Sequence, residues 1–157
     1  MKKRVLFVSS TGGHLNELMQ LKNMFKDYEY HIVTERMKTN DYLKEKYQSK
    51  VNYLIYGTKD YKLTYPFVLL LNSFICLFIC LKFRPDYVVT TGAHVGGLMA
   101  LIAKIFGSKV IYIETFANIT SKTITGKLVY KFADLFIVQW ESMKKLYPKA
   151  TYGGWIF

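Results

Sequence analysis

Arg4-Val5-Leu6-Phe7-Val8-Ser9-Ser10-Thr11-Gly12-Gly13-His14-Leu15-Asn16-Glu17-Leu18 is the stretch that decides the fold. Val5 to Val8 are apolar with no polar alternation, which reads as a strand buried on both faces, as in a parallel sheet. Two glycines then turn the chain. Leu15, Leu18, Met19, Leu21 and Phe25 follow at roughly helical spacing, so an amphipathic helix succeeds the turn. A strand, a glycine turn and a helix in this order open a βαβ unit.

Working outward, the same alternation continues to the end of the chain. Strands are expected at residues 4–8, 30–33, 51–56, 87–90, 110–113 and 135–138. Helices are expected at residues 15–25, 41–47, 66–83, 95–106, 121–132 and 141–146. Right-handed crossovers between such strands build an α/β fold, a doubly wound parallel sheet of Rossmann-like form. No internal repeat, linker or low-complexity stretch interrupts the pattern. The 157 residues are therefore expected to form one domain, residues 1–157, and not a complete two-domain enzyme.

Composition narrows the function classes. With 51% hydrophobic residues the chain is not intrinsically disordered. Its net charge of +11 points to nucleic acid, an anionic membrane or a phosphorylated ligand. Residues 1–62 carry 12 basic and 7 acidic side chains and residues 63–157 carry 10 and 4, so the charge is spread. There is no dense basic tail and no recognisable nucleic-acid module, and nucleic acid is not the expected partner. Cys76 and Cys80 lie four apart in one apolar run, as buried helix positions in a reducing compartment. Lys2-Lys3-Arg4 precedes only four apolar residues, too few for a secretory leader.

Residues 63–81 contain no charged side chain, and 19 helical residues reach about 28 Å, close to a bilayer's hydrocarbon core. The run lies between two strands of one expected sheet, so both its ends return to the same body. A helix resting in the lipid interface fits better than a span. Phe67, Leu70, Phe74, Leu77 and Phe78 would face lipid, with Lys59, Lys62, Lys82 and Arg84 bracketing them for anionic headgroups. A fully buried core helix is the plainer alternative.

The Gly12-Gly13 turn lets the backbone approach a ligand, and the helix that follows favours an anion. It is neither a Walker A loop nor a full G-x-G-x-x-G. A second loop, Thr91-Gly92-Ala93-His94-Val95-Gly96-Gly97, opens another helix after the fourth strand. In the usual doubly wound order the first and fourth strands are neighbours, and ligands bind outside their carboxyl ends. Both loops, with His14 and His94, would then face one crevice, and two converging helix N-termini suit a diphosphate. His31, inside a strand, is expected to be structural. Glu114 ends the fifth strand on the same edge, to orient a histidine, act as a base, or cap a helix. Thr115, Ser121 and Thr125 supply hydroxyls. No spacing suggests a metal site. Glu35 lies 22 residues after Gly13, which permits a ribose contact in a dinucleotide-binding domain, although the fingerprint is incomplete.

Four segments together resemble a known family: Gly12-Gly13-His14 with Asn16-Glu17, residues 85–92, Tyr112-Ile113-Glu114-Thr115-Phe116-Ala117, and residues 133–140 ending in Gln139-Trp140. The chain resembles the asparagine-linked glycosylation protein 14 family, including its bacterial capsule and exopolysaccharide members of the PssD type. The closing Tyr152-Gly153-Gly154-Trp155-Ile156-Phe157 is also similar to the bacterial members. The resemblance implies the acceptor-binding, membrane-facing half of a split GT-B glycosyltransferase, equivalent to the N-terminal domain of the MurG-type fold. A separate chain, similar to asparagine-linked glycosylation protein 13, would bind the UDP-sugar donor, and this chain would hold no cofactor of its own. The eukaryotic members carry an N-terminal transmembrane anchor, which is not seen here.

The resulting expectation is an inverting glycosyltransferase subunit that extends a polyprenyl-diphosphate-linked sugar at the cytoplasmic face of the plasma membrane. Gly12, Gly13, Gly96 and Gly97 would cradle the diphosphate, with Asn16, Gly92, His94, Thr115, Ser121 and Thr125 as further acceptor contacts. His14 is the first choice for the base and Glu114 the second, and the base and phosphate roles compete for His14. The rival is a non-catalytic membrane scaffold that recruits the donor-binding chain through Trp155, Ile156 and Phe157.

Overall fold

Seven parallel strands are laid down in the order β3-β2-β1-β4-β5-β6-β7 in a computed structural model that describes residues 2–58 and 63–156. Lys59, Lys62 and Phe157, named above for membrane and partner contact, lie outside the described residues. The strands are β1 (Arg4–Val8), β2 (Glu29–Glu35), β3 (Val51–Leu54), β4 (Tyr87–Thr90), β5 (Lys109–Ile113), β6 (Leu135–Val138) and β7 (Thr151–Tyr152). The helices are α1 (Gly13–Met19), α2 (Tyr42–Tyr47), α3 (Tyr65–Phe83), α4 (Ala93–Ile105) and α5 (Ile124–Val129). β1 pairs with both β2 and β4, and Val8 is in register with Val33 and Thr90. The expected switch point between the first and fourth strands is therefore present.

The strands alternate between two cores. Leu6, Val8 and Val88 point to the layer of α3 and α4, where they meet Cys76, Cys80, Val95 and Met99. α5 extends that layer over Val110, Tyr112 and Phe136. Val5, Phe7 and Ile32 point the other way, to Leu18 of α1 and Phe25 beyond it. Cys76 and Cys80 are free, buried thiols, and burial pushes them up to about 12 and about 11. They are core packing residues, as their spacing implied.

Several boundaries differ from expectation. The first helix is α-helical only to Met19 and continues as 3-10 turns over Gln20–Asp27. α5 begins at Ile124 instead of 121, because the Thr123 hydroxyl caps it by accepting from Gly126 N at 2.8 Å. Residues 141–145 form a 3-10 turn, and β7 is a two-residue strand too short to read from pattern.

α3 has the length and apolarity to cross a membrane. Its Asn72, Cys76, Ile79 and Cys80 nevertheless pack into the domain. Asn72 Nδ2 donates to Ile55 O at 2.8 Å and its Oδ1 accepts from Ile55 N at 2.9 Å, which satisfies the backbone just beyond β3. The opposite face carries Phe67, Leu70, Leu71, Phe74, Phe78 and Leu81, all at least half exposed, with Phe67 at 71%. Leu77 is only half-buried, between the two faces. The fully buried alternative is thus corrected: one face seals the core, and a continuous apolar stripe is left outside.

Candidate functional site

The loops after β1 and β4 meet at the carboxyl edge of the sheet. Gly12 (φ 78) caps α1 and Gly92 (φ 104) caps α4, both in backbone regions that side chains disfavour. The amides of Gly13, His14 and Leu15 precede the first intrahelical bond, Asn16 N to Gly12 O at 3.1 Å. At α4 the equivalent amides are those of Ala93, His94 and Val95, because Gly92 N donates to Thr90 Oγ1 at 3.1 Å.

His14 locks the two loops together. Its Nδ1 lies 2.8 Å from Thr91 O, and Thr91 Oγ1 donates back to His14 O at 2.7 Å. A carbonyl only accepts, so Nδ1 carries the proton, and in the neutral ring Nε2 holds the lone pair. The ring leans on Gly92, where a Cβ would come within 3.5 Å of His14 Cε1 and 2.8 Å of the Tyr112 hydroxyl. His14 is half-buried, while Gly12, Gly13 and Asn16 are exposed at the same edge.

His94 is held differently. Its Nε2 pairs with Glu35 Oε1 at 3.0 Å, and the carboxylate, 1% exposed, also accepts from Gly57 N at 3.3 Å. Tyr65, at the start of α3, meets the His94 ring edge-on at 5.7 Å. Glu35 is therefore buried and paired, and unavailable to a ribose hydroxyl; the dinucleotide-binding alternative loses its acidic residue. Apolar α3, α4 and α5 side chains continue from His94 into a cavity of about 460 Å³ that includes Leu98, Leu101, Ile124, Thr125 and Leu128.

Two expectations are corrected by packing. Gly96 and Gly97 do not offer loop amides. A Cβ at Gly96 would sit 2.2 Å from Thr90 Oγ1, and one at Gly97 would sit 2.6 Å from Thr125 Cγ2. They are glycines because α4 lies close on β4 and α5, and Thr125 is half-buried against that contact. Glu114 is not presented to the crevice. It is 1% exposed, and its oxygens accept from Thr115 N at 3.1 Å, Thr123 Oγ1 at 3.0 Å and the Tyr147 hydroxyl at 2.8 Å. With its hydrogen-bonding capacity filled inside the core, it braces the α5 cap and does not reach His14. Ser121 is exposed beside this loop, before α5.

The carboxylate on α1 itself is Glu17, three residues after His14. Its Oε1 accepts from Thr115 Oγ1 at 2.7 Å and Phe116 N at 3.1 Å, tying α1 to the loop after β5. Burial pushes its carboxyl upward, the Thr115 and Phe116 hydrogen bonds and nearby His14 pull it down, and Glu114 pushes it up, for a net rise. Glu17 Oε2 and the hydroxyls of Ser9 and Ser10 are buried without partners at this junction. The position of Glu17 between the buried Leu15 and Leu18 is the one sequence signal that it turns inward. Phe116 in turn packs against Trp140 (4.8 Å, tilted) and edge-on against Trp155 (5.3 Å), which anchors the C-terminal segment, and Ile156 N donates to Gln139 Oε1 at 3.2 Å. Among the described residues, no three His, Cys, Asp or Glu side chains are grouped to hold a metal ion.

A seven-stranded parallel sheet with paired glycine turns at its switch point defines a GT-B-like Rossmann fold. Solved structures that share it include a MurG and a UDP-GlcNAc 2-epimerase. MurG from Acinetobacter baumannii superposes with a TM-score of 0.71 at 16% identity, over 89% of this chain and 42% of that one. UDP-GlcNAc 2-epimerase from Methanocaldococcus jannaschii gives 0.72 at 14% identity, over 93% and 42%. The chain thus spans less than half of those solved chains. Residues 5–156 match the family described as oligosaccharide biosynthesis protein Alg14 like, and the chain belongs to that family. Its relatives include the UDP-N-acetylglucosamine transferase subunit alg14 of Schizosaccharomyces pombe, 27% identical over 98% of this chain and 83% of that protein. The human subunit ALG14 is 25% identical over 96% of this chain and 81% of its own length.

Proposed function

We propose that this chain is the acceptor-binding, membrane-attached subunit of a two-chain, UDP-sugar-dependent inverting glycosyltransferase. It would extend a polyprenyl-diphosphate-linked sugar, in assembly of a capsular or exopolysaccharide repeat unit at the cytoplasmic face of the plasma membrane. The observation that carries the reading is the His14 clamp: the Nδ1 bond to Thr91 O leaves Nε2 as an acceptor at the mouth of the β1–β4 crevice. A base in that position takes the proton from the acceptor hydroxyl. The hydroxyl oxygen then attacks the sugar's anomeric carbon while the UDP–sugar bond breaks, and UDP departs with the bonding pair. The first-turn amides of α1 and α4 suit the diphosphate, and the apolar cavity beside His94 suits the start of a prenyl chain. The exposed stripe of α3 supports attachment to lipid.

The donor would come with a second chain, and the name "subunit" on the relatives supports that reading. An open sheet face supports a docking place for it. On the face away from α3–α5 an apolar groove of about 600 Å³ runs over Val89, Ile111, Ile113 and Ile137 to Met24 and Ile156. Exposed Trp155 adjoins Ile156, so the docking tail and the open sheet face make one surface. The same surface serves a purely scaffolding role, which an assay separates from catalysis. The chain co-purified with its donor-binding partner is expected to transfer N-acetylglucosamine from its UDP donor to a prenyl-diphosphate-linked sugar, while each chain alone does not. Full transfer by the partner alone would remove the proposal.

A further inference from the structure

One cavity lies at the opposite end of the sheet from His14, and the glycosyltransferase reading leaves it unused. It has a volume of about 680 Å³ and is lined by Lys3, Arg4, Arg84 and Lys109 against the single carboxylate of Asp86. Asp86 is committed to Arg4: its Oδ2 accepts from Arg4 N at 2.8 Å and lies 3.9 Å from Arg4 Nε. The strand ends behind it are already paired, through Asp86 N to Arg4 O and Lys109 N to Asp86 O. Arg4 Nη1 also donates to Phe83 O at 3.1 Å, so what remains to meet a ligand is chiefly the side chains of Lys3, Arg84 and Lys109. Arg84 is exposed and ends α3 in the left-handed region (φ 51, ψ 63), where glycine is the ordinary residue.

The rim of this cavity is apolar and faces the same way as the lipid-facing stripe. Leu81 is the last member of that stripe and Phe106 follows α4; each is about half exposed and each lines the cavity. α3 has 19 residues, so about 28 Å separates this cavity from the His14 edge along one apolar surface. A cationic cavity with an apolar lip on a membrane-facing surface has the chemistry of a phospholipid site: phosphate inside, acyl chain outside. We infer that the Lys3–Arg4–Arg84–Lys109 cavity binds the headgroup of an anionic phospholipid and fixes the second end of α3 on the membrane. The inference rests on the membrane-attachment reading of α3.

The test is sedimentation of the full chain with vesicles of phosphatidylcholine alone and of an equimolar mixture with phosphatidylglycerol. Each basic side chain at an anionic surface is worth about fivefold in binding, so Arg84→Ala with Lys109→Ala is expected to lose about 25-fold on mixed vesicles. Lys22→Ala with Lys44→Ala removes the same charge from the 3-10 turns after α1 and from α2, and is expected to lose less than about twofold. An equal loss in both double variants would show diffuse charge attraction and overturn the site. Inorganic phosphate is expected to weaken binding no more than sodium chloride at matched ionic strength. Selective displacement by phosphate would make this a free-phosphate site and overturn the lipid assignment. Phe74→Asp with Phe78→Asp tests the underlying reading separately: it is expected to lose both vesicle types, and unchanged binding to both would refute membrane attachment by α3 itself.

Discussion

Replacing Gly96 by alanine probes the contact on which the crevice depends. Gly96 is the fourth residue of α4, and its new Cβ would lie 2.2 Å from Thr90 Oγ1 and 3.4 Å from Thr90 Cβ. Thr90 is fully buried, and its hydroxyl accepts from Gly92 N, so it cannot rotate away without orphaning the amide that precedes the His94 turn. Overpacking at such a site costs about 1–3 kcal/mol. A lost hydrogen bond to a buried amide adds about 1–3 kcal/mol. The better helix propensity of alanine returns at most about 1 kcal/mol. A net loss of about 3 kcal/mol is expected, which lowers Tm by about 6–12 °C at this chain length. Urea unfolding should show a lower midpoint with an unchanged slope. On the Gly96→Ala background, Thr90→Ala should cost less than it does in the parent, with a coupling of about 0.5–3 kcal/mol. A Gly96→Ala protein as stable as the parent would refute the close approach of α4 to β4. Gly13→Ala is the control, since nothing lies within 4 Å of its Cβ position and its φ is ordinary; stability should stay within about 0.5 kcal/mol.

Other consequences are as specific. Asn72→Leu should destabilise by about 1–3 kcal/mol in chemical denaturation, because Ile55 N and O lose their partner together. Glu17→Gln should be more stable than the parent at neutral pH. The native carboxyl titrates above its unfolded value, so the parent's proton-linked advantage exists below the unfolded pKa and is lost as pH rises through the folded one. Urea midpoints of parent and variant should therefore converge near pH 4 and separate toward pH 7; a difference independent of pH would contradict this assignment. Trp155→Ala removes the ring packed on Phe116 and Trp140, and it should release the donor-binding chain in co-purification while the isolated chain stays folded. Retained binding would take the tail out of the interface.

The sheet was legible because its central strands are short apolar runs bounded by turn residues, and because the glycine turns fall at 12–13 and 92, where the strand order reverses. The exposed apolar stripe of α3 was legible for a related reason: an uncharged helix leaves its outer face apolar whichever side packs. What pattern could not show was the partner of each polar group. Glu17, Glu35 and Glu114 are all buried at the same sheet edge, and only tertiary packing distinguishes the one beside His14 from the one that braces Thr123 and Tyr147. Gly96 and Gly97 carry the same letters as a phosphate loop, yet they serve helix packing, a difference set by Thr90 and Thr125 from other elements. β7 was missed because two residues carry no periodicity.

The central claim is that His14 takes the acceptor's proton. The direct measurement is kcat and KM of His14→Ala, in complex with its donor-binding partner, on a prenyl-diphosphate-linked sugar. The account predicts an intact complex, a KM within a few-fold of the parent and a kcat lower by about 10²–10⁴. Turnover near the parent's would contradict it, and a rise in KM at unchanged kcat would assign His14 to holding the diphosphate instead.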